Sequence, residues 1–297
     1  MVKVKNGNAI QSRFKIGKEG KMKTLRKAGA FLIVITLTLA PTLAQAFNPA
    51  AVIGTATLAS GTDTVTFPST SSEGLLLTAK LQKPEGDGPF PAVVMLHGCS
   101  GPSKYLDPWE ERTIGWGYVT LRVDSFGPRG ESNICANVFS KIGPFVRAFD
   151  SHDAKSYLAG LPFVDSKRIA VIGWSHGGWT TLSALNEMSG GKGKNPFRAG
   201  IAFYPYCNVS FEYLNAPLLI LIGEKDDWCP ATLCTVYMPK EEKPEREIIL
   251  KVYPGAYHCF DYEGLDRTYK DHRLLYDPAA TADAIIQVSN FFAKHMK

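Results

Sequence analysis

Ser175 stands inside Gly173-Trp-Ser-His-Gly177, the pattern G-x-S-x-G. An apolar, β-branched run ends at Gly173, and a helix-compatible segment, Trp179 to Met188, follows. Strand, sharp turn and helix is the setting in which this pattern carries chemistry, because the turn exposes the serine hydroxyl above a sheet. Without that setting, the same residues are a glycine-rich turn that only packs. A serine nucleophile needs a general base, and the base needs an orienting carboxylate. Both follow in the chain after further β-type runs. Leu218 to Ile222 leads into Gly223-Glu-Lys-Asp-Asp-Trp-Cys-Pro230, which offers Asp226 or Asp227. Asp226 is favoured by its place four residues before Pro230, and the other aspartate is then a turn residue. Ile248 to Tyr253 leads into Pro-Gly-Ala-Tyr-His-Cys-Phe260, which offers His258. His152, His272 and His295 are read as surface or packing residues.

The same reading supplies an oxyanion hole. The backbone N–H of His176 opens the helix after the serine and faces the reacting carbonyl. The second donor is expected from His97-Gly98-Cys99-Ser100-Gly101, the loop after the buried run Ala92 to Leu96, with the Cys99 N–H as candidate. Cys99 itself lacks a turn of the kind that would make it a nucleophile. Asp124-Ser-Phe-Gly-Pro-Arg-Gly130 opens a long loop reaching Pro144. Loops of that length are frequently functional. Arg129 is a candidate for binding a substrate carboxylate through its planar fork, or else pairs with a local acid. Phe126 and Trp174 are candidate substrate walls, with Trp228 beside them.

The elements that must position these residues alternate. Strands are predicted at Gly74–Lys83, Ala92–Leu96, Tyr118–Val123, Arg168–Gly173, Ala199–Tyr204, Pro217–Gly223 and Glu247–Tyr253. Thr55–Phe67 reads as an edge strand or loop. Helices are predicted at Lys104–Trp116, Phe145–Leu161, Trp179–Met188 and Pro278–Met296. Such alternation means an α/β fold with a mostly parallel sheet covered by helices on both faces.

The first 46 residues read as an N-terminal extension plus a cleavable signal peptide. Lys21, Lys23, Arg26 and Lys27 are basic, Ala28 to Ala40 is uncharged and mostly apolar, and Ala44-Gln-Ala46 is a cleavage site. Met1 and Met22 are both possible starts. Residues 1–46 hold nine Lys/Arg and one acid, so they carry +8 of a chain whose net charge is +5, and residues 47–297 carry −3. That balance gives no footing for nucleic acid or anionic membranes. Residues 47–297 suffice for one domain with a well-buried core. All six cysteines lie there, at positions 99, 135, 207, 229, 234 and 259, and an exported protein would pair some of them. Cys229 and Cys234 are expected to lie close, and Cys99 and Cys135 to share the loops around Ser175. No C-x-x-C or H-E-x-x-H spacing suggests a metal.

Taken together, Leu96-His-Gly-Cys-Ser-Gly101, Asp124-Ser-Phe-Gly-Pro-Arg-Gly130, Gly173-Trp-Ser-His-Gly-Gly178, Gly223-Glu-Lys-Asp-Asp-Trp228 and Tyr257-His-Cys-Phe-Asp261 resemble the dienelactone hydrolase family of α/β-hydrolases. The resemblance runs from about Leu75 to Lys297. It implies an eight-stranded sheet, a nucleophile–His–Asp triad, and hydrolysis of esters or lactones without a cofactor. Two departures stand out. The name-giving enzymes use a cysteine where this chain has Ser175, and carry a glutamate where it has His97. The expected protein is an exported serine hydrolase, periplasmic or secreted, acting on small-molecule esters or lactones. It would be a monomer or small homo-oligomer, with no nucleic-acid partner and no lasting membrane insertion. Amide or peptide hydrolysis on the same residues is the nearest alternative, and a non-catalytic binding module the more distant one.

Overall fold

The structure is a computed structural model that describes residues 63–138, 140–239, 241 and 246–297. The signal segment expected at residues 1–46, and most of the Thr-rich stretch at 55–67, lie outside the described residues.

Eight strands form one sheet: β1 (Asp63–Pro68), β2 (Leu76–Gln82), β3 (Phe90–Leu96), β4 (Val119–Asp124), β5 (Val164–Trp174), β6 (Gly200–Phe203), β7 (Leu218–Gly223) and β8 (Ile248–Tyr253). Their spatial order is β1-β2-β4-β3-β5-β6-β7-β8. Only β1 with β2 and β2 with β4 pair antiparallel; every other pair is parallel. This is the mostly parallel α/β-hydrolase sheet. Its centre is built from runs buried on both faces: Ala92–Leu96, Ile169–Trp174, Gly200–Phe203 and Leu218–Gly223. Continuous Val, Ile and Leu is what a sheet between two helical layers requires.

The helices are α1 (Asp107–Gly115), α2 (Pro144–Ala159), α3 (His176–Leu185), α4 (Ala231–Val236) and α5 (Pro278–His295). The crossover from β3 through α1 steps to one side of β3, and that from β4 through α2 steps back past it to β5. Since such crossovers are right-handed, α1 and α2 must lie on opposite faces. α3 continues in the direction of α2 and packs against it. The reversal at β3 is a topological switch point, and the loops at strand carboxyl ends beside such a point are where α/β sheets hold ligands. Cys99, Ser175, Asp226 and His258 all sit in or directly after loops at those ends.

Three elements were not expected. α4 is only six residues long. β9 (Asp266–Tyr269) and β10 (His272–Leu275) form a separate two-stranded hairpin. Its two turn residues, Lys270 and Asp271, both have positive φ (49° and 65°). That conformation fits a tight hairpin turn, but it normally announces itself with Gly or Asn.

Candidate active site

Ser175, between β5 and α3, has φ 55° and ψ −115°, a strained backbone for a residue with a side chain. Its N–H donates to the Phe203 carbonyl (2.9 Å), and its carbonyl accepts from Trp179 N–H (2.9 Å). The turn is tight enough that side chains beside it have no room. A Cβ on Gly173 would lie 2.1 Å from the Gly177 carbonyl oxygen, and one on Gly177 would lie 2.0 Å from that of Leu96. The two glycines of the motif let the elbow nestle against β3 and α3.

The hydroxyl meets the expected partners. His258 Nε2 lies 3.0 Å from Ser175 Oγ, and His258 Nδ1 lies 2.7 Å from Asp226 Oδ2. A carboxylate only accepts, so Nδ1 carries the proton and Nε2 is left to accept from the serine. The other Asp226 oxygen accepts from the Trp228 and Cys229 N–H groups at 3.0 and 2.7 Å, which fixes the carboxylate plane. Both Asp226 and His258 are buried. Asp227, by contrast, points outward to His272 Nδ1 and the Arg273 N–H on the hairpin. The chain of hydrogen bonds can move a proton from serine to imidazole while Asp226 steadies the imidazolium.

The N–H groups of Cys99 and His176 engage no acceptor among the described residues. The loop bearing Cys99 is held from three sides. Its carbonyl accepts from Ile134 N–H (2.8 Å), the Gly98 N–H donates to the Tyr105 hydroxyl (2.7 Å), and a disulfide joins Cys99 to Cys135. Beneath both donors lies Arg147 of α2, fully buried. It donates to the His97 carbonyl and to His176 Nδ1, each at 2.7 Å. His176 Nε2 therefore carries its proton and donates to the Val138 carbonyl (3.1 Å). One guanidinium thus ties together the Cys99 loop, the elbow and the 124–144 loop. Burial, then the Arg147 charge, push the His176 pKa down to about 3. Burial also holds His97 well below its usual value, and its Nε2 has no hydrogen-bond partner. Sequence reading missed Arg147. The available signal was a cation on the buried stripe of α2, in step with Ala148, Ser151 and Ala154.

The His258 loop has its own anchor. Asp261 accepts from Tyr204 Oη (2.7 Å), Trp109 Nε1 (2.7 Å) and Trp174 Nε1 (3.0 Å). The Tyr204 ring lies 4.6 Å from the His258 ring.

Three expected substrate contacts fall elsewhere. Arg129 grips Asp150 with both terminal nitrogens (2.8 and 2.9 Å) and also reaches Ser125 O and Ser71 Oγ. Asp150 is fully buried, and without this partner it would be an uncompensated charge. Phe126 is buried against His97 and Arg147. Trp174 is buried against Phe203, with its N–H spent on Asp261. The cleft beside Ser175 is instead walled by Val138, Trp179, Tyr206, Trp228 and Cys229, around a space of about 210 Å³. Roomier grooves of about 370 and 460 Å³ exist, but neither touches Ser175 or His258. The cysteines meet expectation in part: Cys99 and Cys135 are joined in the loops beside Ser175, but Cys229 and Cys234 are not paired. Cys234 on α4 bonds Cys207, while Cys229 turns towards the cleft as a buried thiol and Cys259 is also free. Cys229 is held in the acid loop by Asp226, so it cannot follow α4 to its neighbour in sequence.

Residues 77–296 match the sequence profile of the dienelactone hydrolase family. The chain belongs to that family. It is 23% identical over 202 residues to a Bradyrhizobium protein named as a probable 2-oxo-3-(5-oxofuran-2-ylidene)propanoate lactonase, covering 61% of this chain and 78% of that one. It is 34% identical over 116 residues to a probable dipeptidyl-aminopeptidase B from Grosmannia clavigera, covering 36% of this chain. That match spans only 11% of the longer protein. Among solved structures it shares the fold of a dienelactone hydrolase-like promiscuous phosphotriesterase from metagenomic libraries, with a TM-score of 0.63, 18% identity, and coverage of 80% of this chain and 99% of that one.

Two outcomes follow from this geometry. Asp226→Asn is expected to lower kcat by about 10⁴-fold, while Asp227→Asn leaves it near wild type, in esterase assays of the two variants. The opposite ranking would move the carboxylate role to Asp227. The second concerns acid. Burial lowers the pKa of His152 to about 4, that of His176 to about 3, and that of His97 well below normal. Unfolded, all three take up protons near pH 6.5; folded, they do not until far lower pH. Stability is therefore present above pH 6.5 and lost as pH falls towards 4, with a limiting slope of roughly 4 kcal/mol per pH unit for three protons. Urea midpoints at pH 7, 6 and 5 test this, and a flat series would contradict it.

Proposed function

We propose that this family member is a serine hydrolase that cleaves carboxylic esters or lactones through an acyl-enzyme. The observation that carries the reading is the unbroken hydrogen-bond chain Ser175–His258–Asp226 at a strained elbow, beside two unengaged N–H groups. Ser175 Oγ attacks the acyl carbonyl and passes its proton to His258 Nε2. The carbonyl oxygen becomes an oxyanion held by the Cys99 and His176 N–H groups. Collapse breaks the bond to the leaving alkoxide oxygen, which takes the proton from His258. Water then repeats the sequence against the acyl-serine, releases the acid and restores Ser175. Asp226 keeps the imidazole in the tautomer both halves need.

The Grosmannia match makes amide hydrolysis a second reading. The same residues would serve it, with His258 protonating an amine instead of an alkoxide.

We place the working protein in an oxidising compartment, reached by cleavage after Ala46. The Cys99–Cys135 and Cys207–Cys234 disulfides support this, since such bonds persist in exported proteins. Among the described residues, no helix is long and apolar enough to cross a membrane.

Purified 47–297 should turn over p-nitrophenyl acetate and butyrate, and Ser175→Ala should lose about 10⁴-fold or more of that rate. A fluorophosphonate probe should label wild type and not the variant. A wild type that neither labels nor hydrolyses any ester would contradict the proposal.

A further inference from the structure

The walls of the cleft carry information on the charge of the acyl group. Val138, Trp179, Tyr206, Trp228 and Cys229 surround the space beside Ser175, and none of the described side chains lining it is a Lys, Arg, Asp or Glu. The cation that sequence places nearest, Arg129, is closed to ligands by Asp150, Ser125 and Ser71. A second cation, Arg147, lies behind His176 with both terminal nitrogens occupied and no exposed surface. His176 is neutral at working pH, because burial and Arg147 hold its pKa at about 3. Among the described residues, no counter-charge therefore lines the space.

The walls are also fixed in place. Trp179 is pinned by a hydrogen bond from its Nε1 to Asn208 Oδ1 and by edge contacts with His176 (5.6 Å) and Tyr206 (5.2 Å). Trp228 stacks on His272 (4.8 Å) and Tyr269 (5.8 Å) of the β9–β10 hairpin. A carboxylate entering here would shed its hydration and gain no partner, which is costly in an apolar site. An uncharged acyl chain would lose only unfavourable contact with water.

Resting on the ester-hydrolase reading, we propose that the cleft selects esters with a compact, uncharged acyl group and rejects acyl groups that bear a carboxylate. The Bradyrhizobium relative is named for a lactone that carries a propanoate. This chain would part from that substrate class by having committed Arg129 and Arg147 inside the protein.

The test compares kcat/KM by pH-stat for three esters of similar size: methyl butyrate, methyl succinamate and monomethyl succinate. The amide separates polarity from charge. Monomethyl succinate is expected to fall at least about 100-fold below methyl butyrate, with methyl succinamate between them. Val138→Arg, which adds a guanidinium to the wall, should raise monomethyl succinate at least about tenfold relative to methyl butyrate. Wild-type values for methyl butyrate and monomethyl succinate within tenfold of each other, or a Val138→Arg variant with unchanged preference, would overturn the selectivity. If wild type turned over none of the three, the ester-hydrolase reading beneath it would fail, a result distinct from turnover without preference.

Discussion

Everything at this site depends on the backbone of Ser175 being held in a conformation that an L-residue resists. A φ of 55° persists only where the surroundings over-determine it. Here they do so with main-chain atoms. The Phe203 carbonyl at the end of β6 takes the Ser175 N–H, and the Leu96 carbonyl at the end of β3 sits where a side chain on Gly177 would be. The central strands therefore do more than bury apolar surface. Their carboxyl ends form the mould in which the elbow is cast, and the elbow aims both the hydroxyl and the His176 N–H.

A second constraint is the handling of buried charge. Three loops from three different crossovers must meet around Ser175, and polar groups sealed under them join them. Arg147 links the His97 carbonyl to His176, and through it to Val138. Arg129 and Asp150 tie the start of the 124–144 loop to α2. Asp261 collects two tryptophans and a tyrosine beneath the His258 loop. The Cys99–Cys135 bridge adds a covalent tie between the Cys99 loop and the 124–144 loop. Buried polar groups are costly to leave without partners, so networks of this kind restrict the loops to the arrangement in which the partners meet. The same economy bears on the apolar cleft, since Arg129 and Arg147 already serve the scaffold.

The sheet was legible from sequence because strands buried on both faces read as unbroken apolar runs. The elbow and the acid loop were legible because each follows such a run, and the His258 loop because it follows the half-buried edge strand β8; each carries a residue with few other uses there. The sequence also placed Asp226 ahead of Asp227, and the structure puts Asp226 against His258 and Asp227 against the hairpin. What stayed hidden depends on tertiary partners. Arg129 looks like a ligand-binding fork until Asp150, twenty-one residues later, is seen beneath it. Trp174 precedes the serine in the chain and Phe126 opens the long loop expected beside it, yet both are buried away from the cleft. The hairpin was invisible because its turn uses Lys270 and Asp271 where glycine or asparagine would have signalled it. Cys229 and Cys234 are close in sequence, but the start of α4 points them to different neighbours.

The most direct measurement is a crystal structure of 47–297 with a boronic acid or phosphonate bound covalently as a tetrahedral adduct. The account predicts a bond to Ser175 Oγ, with one adduct oxygen about 2.7–3.1 Å from both the Cys99 and His176 nitrogens. It also predicts that the apolar substituent lies between Trp179 and Trp228. An adduct on another residue, or an oxygen turned away from those two N–H groups, would contradict it.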